Sequence, residues 1–159
     1  MDYKKPHNKK ILVSGITDPK AFDVLKNESI GNHVSFELGM GEDALSAPIH
    51  IEGKIRYIGH VLPEFKDRGS YGKAITVSLD TYPIDVVVLG LSYSFTEIEQ
   101  FTSSNIDWTL YDVIIAKQGY ISPDFAKVGK YTIMSLTDGP TNQRTERLDF
   151  KRIMRPMYP

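Results

Sequence analysis

The chain has 159 residues, of which 41% are hydrophobic and 25% charged, with a net charge of -1 and no cysteine. This is the profile of one globular domain large enough to bury a core, and not of a disordered chain. The near-zero charge excludes a global field for nucleic acid or an anionic membrane. The missing cysteines exclude disulfides, thiolate zinc sites and a cysteine nucleophile.

Residues 1–9 are polar and lysine-rich and read as a linker or expression remnant, with the folded domain spanning 10–159. No apolar stretch follows that is long enough for a signal peptide or a membrane span, so a cytoplasmic protein is expected. The run "ILVSGI", Ile11 to Ile16, predicts a strand covered on both faces. A helix follows, capped by Asp18 with Pro19 in its first turn. Ala21, Phe22 and Leu25 line its inner face, and Gly31-Asn32 ends it.

The middle alternates apolar and polar residues, as strands with one wet face do. Val34, Phe36 and Leu38 form the first set. In "IHIEGKIRYI", Ile49, Ile51, Ile55 and Tyr57 share one face, and His50, Glu52, Lys54 and Arg56 the other. Ile75, Val77 and Leu79 form the third set.

The last third returns to buried strands. "IDVVVLGL" is one, and "DVIIAK" is the next. Between them, "SFTEIEQF" offers two overlapping capping boxes, Ser94 with Glu97 and Thr96 with Glu99, and an apolar stripe of Ile98 and Phe101. Ser122-Pro123-Asp124 opens a short helix with Phe125 and Val128 inward and Gly129 as its stop, and "YTIMSL" is the final strand. The expected fold is α/β. It has a mixed sheet of about seven strands, a parallel strand-helix-strand half plus an antiparallel meander, and about three helices.

Chemistry is sparse. The histidines, His7, His33, His50 and His60, show no His-x-His or His-x-x-x-His spacing, so no metal site is assigned. No nucleophile elbow, P-loop or complete dinucleotide fingerprint is present, and no catalytic residue is assigned. The ends of the parallel strands are where an open α/β sheet collects ligands. There Lys117, Gln118, Asn142 and Arg144 form a candidate set that could grip a carboxylate or phosphate. The closing stretch "DGPTNQRTERLDFKRIMRPMYP" holds too much apolar surface for a free tail. It is expected to strap over the sheet, with Phe150 and Tyr158 buried and Arg152 and Arg155 exposed or at an interface.

That ending, with its Arg155-Pro156-Met157-Tyr158-Pro159 finish, resembles the C-terminal signature of the microcystinase C (MlrC-like) family. "ILVSGITDPKAF", "VSFELGMGED", "APIHIEGKIRYI", "IDVVVLGLS" and "YDVIIAKQGY" are similar to its other segments in the same order. Together they cover about residues 9 to 159. The resemblance implies the C-terminal domain of a zinc-dependent metallopeptidase or amidohydrolase. Zinc and the catalytic groups would belong to a separate N-terminal domain, which would be the partner. No cofactor is expected in this chain, and no nucleic acid or membrane partner; self-association is left open. The chain departs from the family where "QGYISPDF" replaces a His-Phe-Arg segment after Lys117, so no ligand role is transferred there. On this view the chain is an excised domain or a split subunit. A stand-alone small-molecule binding module is the alternative, and an independent enzyme a third.

Overall fold

The computed structural model describes residues 8–39, 47–62 and 72–135. Six strands form one sheet: β1 (Ile11–Thr17), β2 (His33–Leu38), β3 (Ile49–His60), β4 (Lys73–Leu79), β5 (Ile84–Leu89) and β6 (Val113–Ala116). Their order is β2-β3-β4-β5-β1-β6. β5, β1 and β6 run parallel, while β2, β3, β4 and β5 pair antiparallel. The mixed α/β sheet and both of its halves are as the sequence predicts.

Helix α1 (Pro19–Leu25) begins as expected. The Asp18 carboxylate accepts from the backbone N–H groups of Lys20 and Ala21, both at 3.0 Å, and Pro19 needs no donor partner. The other carboxylate oxygen accepts from the Gly39 N–H at 2.8 Å, which ties the helix start to the end of β2. The helix stops at Leu25, earlier than Gly31-Asn32. A turn closes with the Glu28 N–H on the Leu25 carbonyl, and Gly31, at φ +91°, then leads into β2. Ala21 and Leu25 are buried on one face of the sheet with Val34, Phe36, Leu38, Ile51, Ile55, Ile75, Val77, Val86 and Val88. Helix α2 (Ile98–Ser103) and a 3₁₀ turn at Trp108–Leu110 cover the other face. There Phe95 and Phe101 are fully buried, their ring centroids 4.7 Å apart, with Leu12, Val87, Leu89 and Ile106. Each such side chain contributes roughly 1.5–3 kcal/mol by leaving water.

Several expectations are corrected. A register shift between Ile55 and Tyr57 turns Tyr57 to the α2 side and brings Ile58 to the α1 side, so Tyr57 does not share a face with Ile55. β4 has no wet face: Ala74 and Thr76 are as buried as Ile75 and Val77, because α2-side packing covers it too. The boxes of Ser94 with Glu97 and Thr96 with Glu99 do not cap α2. Gln100, itself buried, does so, its Oε1 accepting from the N–H groups of Thr96 (2.6 Å) and Glu97 (3.0 Å). Its Nε2 donates to the Leu62 carbonyl at 3.0 Å, so one amide both caps the helix and anchors it beyond β3.

Helix α3 (Pro123–Val128) is capped by Ser122, and its Phe125 stacks 5.7 Å from Phe101. Val128 points outward instead of inward, about half exposed. Among the described residues β6 is an edge strand instead of a buried one, with Val113 43% and Ile115 52% exposed. The expected seventh strand is absent over its described part. Tyr131–Ser135 pairs with no strand among the described residues, and Tyr131 and Ile133 are almost wholly exposed. Strand propensity is expressed only where a neighbouring edge and face receive it.

At the amino ends of the parallel strands lies a polar knot inside the core. The Asp85 carboxylate, 2% exposed, accepts from the Tyr111 hydroxyl at 2.5 Å and the Ser78 hydroxyl at 2.6 Å. The Lys10 ammonium stands 3.9 Å away and the Arg56 guanidinium 3.6 Å, and Lys10 also lies over the Tyr111 ring. Lys9, read from sequence as linker, pairs with Asp112 at 3.1 Å. Burial raises the Tyr111 phenol well above its ordinary value, and the bond to Asp85 raises it further. A raised phenol keeps its contribution below about pH 10, where the unfolded phenol is still neutral, and loses it as pH rises beyond. Thermal melts of the wild type should therefore fall more steeply above about pH 10 than those of Tyr111→Phe. Parallel profiles would contradict this origin of alkaline sensitivity.

Candidate functional site

The rim at the carboxyl ends of β1, β5 and β6 is the first place to seek a ligand. It holds a depression of about 160 Å³ lined by Phe22, Gly72, Lys73, Leu89, Gly90, Leu91 and Tyr93. Gly90 lets Phe22 lie flat there, since a Cβ would stand 2.7 Å from the ring. Lys73 turns its ammonium to the Lys26 carbonyl at 2.6 Å, at the end of α1, where a cation meets unpaired carbonyls.

Of the predicted ligand residues, the two that are described, Lys117 and Gln118, do not line this depression. Lys117 is exposed just beyond β6 and forms no ion pair among the described residues. Gln118 is committed internally. Its Nε2 donates to the Phe95 carbonyl, and its Oε1 accepts from the Ser122 N–H at 3.3 Å, so it clips α3 to the loop before α2. Asn142 and Arg144 lie outside the described residues, as do Phe150, Arg152, Arg155 and Tyr158.

A second polar surface covers the outer face of β2 and β3. His50 donates or accepts at Nδ1 with Glu37 at 2.8 Å, while its Nε2 faces Glu52 at 3.5 Å and the Ser35 hydroxyl at 3.2 Å. His33 pairs with Asp80 at 2.5 Å. Glu37 and Glu52 flank the His50 ring at different nitrogens, so the three do not converge on one point. Among the described residues no group of three His, Asp or Glu side chains fits a metal ion. Zinc therefore has no fitting site there. The ladder is a cross-strand pairing, with His50 directly opposite Glu37.

The bond to Glu37 raises the His50 imidazole above its usual value; desolvation opposes the rise, and Glu52 adds to it. A raised imidazole adds stability that is complete below the unfolded value, near pH 6.5, and is lost as pH climbs through the folded one. Because the ring is exposed, the effect is small. An NMR titration should place His50 above ordinary histidine and return it toward that value in Glu37→Gln. An unchanged titration would remove Glu37 as the cause.

The polar knot around Asp85 escaped sequence reasoning. Its five side chains come from the edge of β1, from β3, β4 and β5, and from the loop before β6. The only signal was an aspartate at the start of an otherwise apolar run. The knot lies at the end of the sheet opposite the rim and joins structural elements. Among the described residues no helix is long and apolar enough to cross a membrane.

The architecture has counterparts. A crystal structure of the protein named "Putative metallopeptidase" from Mesorhizobium sp. BNC1 superposes with a TM-score of 0.72 at 17% identity, covering 94% of this chain. At that identity the likeness concerns the fold. This chain spans 32% of the length of that protein. No curated protein matches the sequence. The family model described as MlrC C-terminus matches residues 3–152, nearly the whole chain and every described element of the sheet, so the chain belongs to the MlrC C-terminal domain family.

Proposed function

We propose that this chain is the non-catalytic C-terminal domain of an MlrC-like zinc-dependent metallopeptidase or amidohydrolase, working in the cytoplasm beside a separate N-terminal zinc domain. The observation that carries this reading is one of proportion. The match to the MlrC C-terminus extends over residues 3–152, yet the chain spans only 32% of a structural neighbour named as a metallopeptidase. A stable sheet with two packed faces suits a supporting role, because rigid elements hold a neighbouring site in place. Its contribution would be to buttress the zinc domain and to wall one side of its cleft.

The test mixes this chain with the separately expressed N-terminal region of an MlrC-like protein. A one-to-one complex by light scattering, with faster hydrolysis of a linear peptide than by the N-terminal region alone, is the expected result. No complex and unchanged hydrolysis would refute the reading.

A further inference from the structure

We infer that the α1-side face of β6 is the surface on which the remainder of the MlrC-like protein docks; this rests on the function proposed above. β1 and β6 pair in parallel with Ile11 opposite Val113 and Val13 opposite Ile115, and partners in register point to the same face. Val13 packs into the α1-side core, so Val113 and Ile115 lie on that side as well. α1 contacts β5 and β2, which carries it away from β6 across the sheet. No described element covers the strip at β6, and Val113 and Ile115 are about half exposed.

The outer edge of β6 is also unpaired with any strand among the described residues. Natural edge strands are guarded by charge, proline or a bulge. Val113–Ala116 has none of these within it, so only its four-residue length limits pairing there; Asp112 and Lys117 flank it. The chain that follows also exposes Tyr120, Ile121, Tyr131 and Ile133. By contrast, the outer face of β2 and β3 is a ladder of paired polar side chains that needs no cover. An apolar edge and face of this kind mark an interaction surface. The occupant is indicated by proportion: the fold accounts for 32% of its structural neighbour, so most of such a protein lies outside the match and is the partner in reach of this face.

The experiment uses the full chain and, as the probe, the N-terminal region of an MlrC-like protein. Wild type, Val113→Asp, Ile115→Asp and the polar-face control Lys54→Glu are compared by calorimetry, with hydrogen exchange measured on the wild type. The expected result is at least tenfold weaker binding for both β6 variants, none for the control, and slowed exchange at 113–116 in the wild-type complex. That exchange measurement decides the matter even if a variant fails to fold. Binding that is unaltered in the variants, with no new protection at 113–116, would overturn the assignment and leave the proposed function standing. No binding by the wild type would overturn both. Self-association through these residues, lost in Ile115→Asp, would give the face to a second copy and overturn the assignment.

Discussion

Asp85→Ala should lower the melting temperature by roughly 10 °C, which corresponds to about 3–5 kcal/mol for a domain of this size. The carboxylate is 2% exposed and receives two hydroxyl hydrogen bonds, from Tyr111 and Ser78. Removing it leaves both hydroxyls without that acceptor inside the core, and a buried donor left unmade costs about 1–3 kcal/mol each. Lys10 and Arg56 would also lose their shared counter-charge. These cations are partly solvated, so their share is the smaller one. Asp85→Asn keeps the volume and one acceptor oxygen and should lose less. Chemical denaturation of both variants checks the order. A loss below about 1 kcal/mol for Asp85→Ala would mean that the knot is not a stabilising element.

Gly59→Ala should be comparably damaging, at about 3 kcal/mol, at the upper end of the range for overpacked cores. A Cβ at this position in β3 would stand 2.4 Å from the carbonyl carbon of Ser104 and 2.5 Å from its Cα. Those are backbone atoms at the end of α2, which cannot rotate away as a side chain would. The helix would have to lift from β3, which strains the Gln100 bond to the Leu62 carbonyl at the same contact. Gly31→Ala provides the comparison. Nothing lies within 4 Å of a Cβ there, and the cost comes only from φ +91°, about 1–2 kcal/mol. Urea titrations of the two variants separate close approach from backbone conformation. Equal losses would show that the contact at Gly59 relaxes freely.

The legible parts of this protein were those written in local pattern. The start of α1 was readable because Asp18 and Pro19 act within three residues of each other. The alternation of β2 was readable because one face meets the core and the other meets water. The buried run of β5 followed from continuous apolar content. The family resemblance rested on such segments in order, and the match over residues 3–152 agrees with it.

What local pattern could not reach were the outcomes set by neighbours distant in the chain. Whether β6 is central or an edge depends on which strands flank it, and the same apolar sequence serves either position. The shift between Ile55 and Tyr57 arises from pairing with β4 and moves Tyr57 to the face opposite the one alternation assigns. Gln118 carries amide donors and an acceptor that would suit a ligand, and only the fold shows one donor engaged by the Phe95 carbonyl and the acceptor by the Ser122 N–H. The Asp85 knot gathers Lys10, Arg56, Ser78 and Tyr111, up to a hundred positions apart, around one carboxylate. Sequence alone thus determined the kind of elements and the family. The tertiary structure decided which polar groups are committed and which apolar face no described element covers, because burial and hydrogen bonding are properties of pairs brought together by the fold.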